Sequence, residues 1–270
     1  MIKWVSKCCW CYASLIYFMK YNFYFLLVLL VMFSACENTT EDFITETYKD
    51  YYPLQVGKYI TYRVDSVRLI RNGQALDTVK RQVKHFIESE GTDNLNNKIF
   101  IVQKYVNNQQ GTGPWLQDGN YTVTPFDARV EVVENNLRSI KMQNPLRAGF
   151  TWRGYSYLPD NPYKAAYDLE LVGNEMQRWN FTYKSFGNET INNQAYNNVW
   201  TVVHSDTTFN IPSVPINSLG VKEVDIEKYA KNIGLVYRNF QLLEHQPANA
   251  DNPSPYYRGF GVTMWMVDHN

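Results

Sequence analysis

Val221-Lys222-Glu223-Val224-Asp225-Ile226-Glu227-Lys228-Tyr229-Ala230-Lys231-Asn232-Ile233-Gly234-Leu235-Val236-Tyr237-Arg238-Asn239-Phe240-Gln241-Leu242-Leu243 is the stretch that decides the fold class. Val224, Ile226 and Lys228 alternate with Asp225, Glu227 and Tyr229, a period of two that suits a strand with two unlike faces. Glu223 to Lys231 also has a composition fit for a short helix; the alternation favours the strand. Ala230 to Gly234 reads as a turn, because Asn232 and Gly234 take positive φ at low cost. Leu235 to Leu243 is then the returning strand of a hairpin.

The same signals recur along the chain. Asn72-Gly73 supplies the two positive-φ positions of a type I′ turn between strands expected over Lys58–Ile70 and Leu76–Glu88. Further strands are expected over Lys98–Asn107, Tyr121–Phe126, Ala128–Val133, Leu137–Met142, Trp179–Lys184, Val199–Ser205 and Arg258–Asp268. The chain has 21 Tyr and 7 Trp, and such residues favour pleated, half-buried surfaces. No segment carries a long apolar stripe of helical period. The expectation is a mainly β fold of antiparallel sheets with little helix, built as one large curved sheet or as two similar lobes, 51–143 and 144–270. The two-lobe alternative comes from an echo. Pro53, Leu54, Gly57 and Tyr59 open the first half, and Pro145, Leu146, Gly149 and Trp152 open the second with the same Pro-Leu-x-x-Gly spacing.

The N-terminus predicts export. Phe23 to Phe33 is wholly apolar, followed by Ser34, Ala35 and Cys36. This run is too short to cross a bilayer, which takes roughly 20 residues, and has the form of a signal-peptide core with its cleavage site. Met19-Lys20 begins a complete signal, so translation is expected to start at Met19 within the segment 1–35. Residues 36–50 are polar and acidic and read as a tether to a β-rich domain over 51–270.

Phe33-Ser34-Ala35-Cys36 resembles the bacterial lipobox, with Phe in place of the usual Leu. The resemblance implies a lipid thioether on Cys36, palmitate among the attached chains, and anchorage of the mature N-terminus to a membrane. Taken with Tyr51-Tyr52-Pro53-Leu54-x-x-Gly57 and Tyr229-Ala230-Lys231-Asn232-Ile233-Gly234-Leu235-Val236, it resembles a group of envelope lipoproteins common in Bacteroidota, for which no activity is established. The resemblance implies an outer-membrane lipoprotein, periplasmic or surface-exposed. Glu37, Glu41 and Asp42 resemble the surface-export signal of such proteins and read equally as a solvated tether. Asp65-Ser66-Val67, Asp77-Thr78-Val79 and Asp206-Thr207-Thr208 resemble Bacteroidota O-glycosylation sites, which makes Ser66, Thr78 and Thr207 candidate acceptors.

Composition excludes several classes. All 26 acidic residues follow Cys36, as do all but three (Lys3, Lys7 and Lys20) of the 26 basic ones, so the mature chain is acidic by three charges. No basic patch with interleaved aromatics points to nucleic acid. Cys8, Cys9 and Cys11 precede the cleavage site, which leaves no disulfide framework and no thiol nucleophile. His85, His204, His245 and His269 lack metal-ligand spacing, and no phosphate loop or other cofactor motif is present. A metal and a cofactor are therefore not expected.

What remains is a non-enzymatic envelope module that binds a lipid, a glycan or an envelope protein. Trp115, Trp152, Trp179 and Trp265 are its candidate stacking residues, each also suited to sheet packing. An enclosed apolar cavity would favour lipid, and an exposed row of rings would favour glycan. The alternative is a glycan hydrolase using two facing carboxylates, one of raised pKa.

Overall fold

The computed structural model describes residues 46–211 and 216–270. The expected signal segment, Cys36 and most of the expected tether lie outside the described residues. Within them, 59% of the residues are strand and 5% helix, as the alternation and aromatic content predict.

Twelve strands form one antiparallel sheet. They are β1 Tyr59–Ile70, β2 Ala75–Thr92, β3 Lys98–Asn107, β4 Leu116–Pro125, β5 Arg129–Glu134, β6 Leu137–Gln143, β7 Thr151–Trp152, β8 Phe181–Ile191, β9 Gln194–Phe209, β10 Gly220–Ala230, β11 Gly234–Gln246 and β12 Tyr256–His269. Each pairs with its neighbour in the chain, except that β6 and β7 are the two edges and β1 pairs with β12 instead. The edges meet without a ladder. Ile140 N–H of β6 donates to the Gly154 carbonyl just beyond β7 at 2.7 Å, and the Trp152 indole donates to the Ile140 carbonyl at 3.0 Å. The sheet is thus a nearly closed barrel, its seam joined at Ile140 by one backbone bond and one indole bond.

Local chemistry sets the turns. Asn72 and Gly73 take φ of 55° and 83°, and Gln74 N–H closes the turn on the Arg71 carbonyl at 3.2 Å. Arg71 also has positive φ, so the loop runs over residues 71–74 and is longer than the two-residue turn that Asn-Gly predicts. Lys231 to Ile233 link β10 and β11, with Asn232 at φ 63° and Gly234 at φ 114°. Several strands outrun the sequence expectation: β8 reaches Ile191 and β9 spans Gln194–Phe209. Asn192 and Asn193, both at positive φ, form the turn between them.

The two Pro-Leu-x-x-Gly openings make the same backbone pattern. Gly57 N–H donates to Ile87 O, Ile87 N–H returns to Lys58 O, and Lys58 N–H closes on Gln55 O; Gly149, Tyr183, Phe150 and Arg147 repeat these three bonds. Each opening therefore hooks the chain onto the strand that follows it in the sheet. The first leads into β1, and the second into β7.

The segment before β1 plugs one end of the barrel. A single turn of helix, α1 Tyr48–Tyr51, is capped by the reciprocal Thr47 and Asp50 bonds. Tyr48 and Tyr51 are fully buried, each contributing about 2–3 kcal/mol of apolar burial. The Tyr48 amide donates to Asn144 Oδ1 at 2.9 Å, its hydroxyl donates to the Phe126 carbonyl, and Asn232 N–H donates to Asp50 O at 2.6 Å. The plug thus ties the β4–β5, β6–β7 and β10–β11 connections together. All twelve strands and both apolar clusters lie within Glu46–Asn270, a compact unit by itself.

Gly259→Ala and Gly57→Ala should separate backbone strain from crowding. Both sites have positive φ, but a Cβ at Gly259 would stand 2.0 Å from Leu242 O, while one at Gly57 meets nothing within 4 Å. Gly259→Ala is expected to cost about 3 kcal/mol or more and Gly57→Ala about 1 kcal/mol, read from urea midpoints. Equal losses would contradict this packing of β11 against β12.

Candidate functional site: a charged wall inside the barrel

The inner side of the barrel holds a group of charges that its strands bring together from far apart in sequence. Asp225 and Glu227 lie two residues apart on β10 and so share a face. Both are almost wholly buried. Glu227 pairs directly with Arg238 of β11 in the strand register, and the Arg238 Nε is 3.3 Å from Glu227 Oε1 and 3.6 Å from Asp225 Oδ1. Lys141 of β6 reaches across the barrel to Glu227 Oε1 at 2.7 Å. His204 of β9 places Nδ1 2.9 Å from Asp225 Oδ2 and Nε2 3.6 Å from Glu227 Oε2. The Tyr229 hydroxyl donates to Glu227 Oε2 at 2.6 Å, and the Tyr155 hydroxyl donates to Asp225.

Two β-bulges aim these side chains. Val130 pairs with Met142 and Glu131 with Ile140, which leaves Lys141 as the extra residue. Asp225 pairs with Ser205 and Ile226 with Val203, which leaves His204 as the extra residue. A bulge breaks the in-out alternation and re-aims one side chain.

Electrostatics follow from burial against charge. Burial pushes the Asp225 carboxyl up, and His204, Arg238 and Lys141 together outweigh it and hold the carboxyl below its ordinary value. Burial likewise raises Glu227, and Lys141, His204 and Arg238 overcome it against the opposing Asp225 charge. Burial alone would lower Arg238; the two carboxylates hold it well above its ordinary value.

Beside this network lies a cavity of about 100 Å³. Its lining mixes apolar Leu54, Ile60, Ile87, Val102, Val123 and Leu235 with Lys58, His85, Glu134, Lys141, Glu227 and Arg238; Ile60 and His85 are cross-strand partners. The plug covers it through Tyr52, Pro53 and Leu54. His85 is held neutral by burial, its pKa pushed down to about 4 against the pull of nearby Glu134. Its Nδ1 is 3.0 Å from the Tyr121 hydroxyl. Burial raises Glu134 while Lys104, His85 and Arg238 lower it further, so it stays ionised.

His204, Asp225 and Glu227 together offer ligand atoms within 4.8 Å of one another, which is the spacing of a metal site. The charge around them does not suit a cation. Lys141 and Arg238 already bring two positive charges to two carboxylates, and a divalent ion would leave that charge unbalanced in a buried site. The carboxylate pair does not supply the acid a glycan hydrolase needs either, because both members are held below their ordinary pKa and neither is accessible.

The residues chosen from the sequence fall elsewhere. Trp152 is buried in the core with its indole bonded to Ile140, and Trp179 packs on the same cluster beside Tyr155. Lys84 stands over Trp115, and Arg63 over Trp265. The four make no common row: Trp152 and Trp179 belong to the core, and the other two rings are covered by cations. Thr78 and Thr207 are exposed, and Ser66 is half-buried. Lys141 and Arg238 carry no signal in the sequence, and His204 stood out only as a histidine without metal-ligand spacing. Asp225 and Glu227 stood out only as the polar face of an alternating strand.

No protein-family model matches the chain, and no curated protein does. Among solved structures, a protein from Parabacteroides distasonis described as a lipoprotein is 8% identical; the match covers 82% of this chain and 98% of that one at a TM-score of 0.38. A domain from Vibrio parahaemolyticus described as an outer membrane lipoprotein-sorting protein is 12% identical, covering 82% of this chain and 88% of that one at 0.18. Neither likeness reaches the level at which a function carries over.

Two outcomes are expected. Lys141→Met should cost about 3–5 kcal/mol in chemical denaturation, because it strands Glu227 in the interior; a loss within 1 kcal/mol would remove the cross-barrel pair from the account. Acid should destabilise in two stages. The unfolded chain protonates His85 near its ordinary 6.5, the folded chain only near 4, so stability falls between these values at about 1.4 kcal/mol per pH unit. Asp225 and Glu227, held below their ordinary 3.8 and 4.5, add a further loss as pH drops through that range. His85→Gln should flatten the first stage and leave the second.

Proposed function

We propose that this chain is a lipid-anchored protein of the bacterial cell envelope that binds a small amphipathic molecule in its barrel cavity and catalyses no reaction. The observation that carries the binding reading is the mixed lining of the cavity. A purely structural core would be apolar throughout, since ion pairs in an interior are often no more stabilising than well-packed apolar residues. Here apolar side chains stand among fixed charges and hydroxyls, the mixture that holds a molecule with an apolar part and a polar part. A part-apolar cavity favours a lipid-derived ligand over a stacked glycan. The volume, about 100 Å³, is below the roughly 150 Å³ that holds a benzene ring, so the ligand, or the part of it inside, has only a few heavy atoms.

The anchor reading rests on the lipobox. Cys36 takes the lipid, the acidic residues after it form the tether, and the outer membrane is the compartment. Thr78 and Thr207, being exposed, are the better placed O-glycan acceptors, and Ser66 the poorer.

Two measurements test this. Metabolic labelling with palmitate should mark the wild-type chain and not Cys36→Ala, which should also leave the membrane fraction; a labelled or membrane-bound variant would end the anchor reading. Mass spectrometry of organic extracts from purified protein should find a small amphiphile that is absent from Leu54→Trp, whose indole fills the cavity. Identical extracts from both proteins would count against the cavity as the binding site.

A further inference from the structure

We infer that the ligand of the cavity is a short-chain carboxylate, its head held by the Lys58 ammonium and its chain turned inward. This rests on the reading of the cavity as a binding site and names the ligand class. Lys58 lines the cavity together with Pro53, Leu54, Ile60 and Ile233. Among the described residues, every other charge on the lining has an opposite charge beside it. Glu227 is met by Lys141 at 2.7 Å and by Arg238 at 3.3 Å, and Arg238 is also 3.6 Å from Asp225. Glu134 pairs with Lys104, and burial keeps His85 neutral. Lys58 has no such partner: its Nζ donates to the main-chain oxygen of Asn270 at 2.9 Å and to that of Asn232 at 3.5 Å. Lys58, Lys104, Lys141 and Arg238 thus stand against Asp225, Glu134 and Glu227. One positive charge is in excess, and a single negative charge on the ligand would balance it.

The position of Lys58 suits that role. Its side chain is half-buried, and burial pulls its pKa down, so the ammonium has already given up part of its hydration. A carboxylate supplies the missing counter-charge through a charge-assisted bond, roughly twice as strong as a neutral one. An alcohol would gain only the weaker bond, and a ligand ammonium would meet Lys58 as a like charge. The two Nζ contacts are solvent-exposed, which puts the head at the mouth, where the carboxylate keeps its remaining water. The interior then has only the chain to hold. Its volume of about 100 Å³ suits a few carbons, lying against Leu54, Ile60 and Leu235.

The experiment uses residues 46–270, which hold the whole sheet and its core. Ligand-detected NMR titrations with butyrate, butan-1-ol and butylammonium at pH 7.5 compare three heads on one hydrocarbon chain. Butyrate should bind at least about fivefold more tightly than the other two. Lys58→Met should weaken butyrate by about fivefold or more and leave butan-1-ol within about twofold, and Lys58→Arg should keep butyrate within about threefold of the wild type. Leu54→Trp and Ile60→Trp should lose both ligands, all variants being confirmed folded by circular dichroism. Butyrate binding no more tightly than butan-1-ol or butylammonium, or binding Lys58→Met as it binds the wild type, overturns the carboxylate inference; the cavity reading stands as long as the Trp variants block whatever binds. Binding of none of the three, or binding unchanged in both Trp variants, overturns the cavity reading and this inference with it.

Discussion

The contact between Lys141 and Glu227 is the constraint on which the rest of the interior depends. Lys141 sits on an edge strand and Glu227 on a strand near the opposite edge, yet their side chains meet at 2.7 Å. They do so only because the sheet curls until its two edges face each other. The seam at Ile140 and Gly154 closes the backbone, and the ion pair joins the side chains beneath it. Buried pairs of this kind rarely add net stability over apolar packing. Their effect here is geometric: the pair sets Lys141 of β6 against the Glu227, Arg238 and Asp225 cluster of β10 and β11.

The same Pro-Leu-x-x-Gly turn does two different jobs in this arrangement. At Pro53 it delivers the chain into β1, which pairs along its length with both β2 and β12, and its Pro and Leu form part of the cavity lid. At Pro145 it delivers a strand of two residues. Gly154 ends that strand's partnership with β8 and turns its carbonyl to β6. A side chain there would collide with Phe181, whose ring stands 2.2 Å from the position of a Cβ. One turn thus opens the centre of the sheet and the other opens its seam, and the residues that follow decide which.

Much of this was legible in the sequence. Alternation in 221–229, the turn residues at Asn72-Gly73 and Asn232-Gly234, and the aromatic content predicted an antiparallel fold with little helix, and the strands include the stretches expected of them, with β4, β8 and β9 running further. The site was not legible, for two physical reasons. A period of two divides a strand into faces without saying which face turns inward, and a reader expects Asp225 and Glu227 to face water. Closing the sheet put that polar face inside. The candidate Trp residues were chosen for size and aromaticity, properties that serve core packing equally well, and Trp152 and Trp179 were used for it.

The bulges supply the second reason, and they bear on why the charges are there. In an unbroken ladder Lys141 and Ile140 would point to opposite faces; with the extra residue, Ile140, Lys141 and Met142 are all buried. His204 enters the interior by the same device on β9. A strand that needed only a stable core would keep its alternation and turn apolar residues inward at no electrostatic cost. Two separate strands instead break their ladders at the points that bring a cation and an imidazole to Asp225 and Glu227. A bulge forfeits ladder hydrogen bonding, and a buried charge forfeits hydration, so each is a local loss. Two such losses converge on Asp225 and Glu227, and the fold's stability comes from the apolar clusters around them.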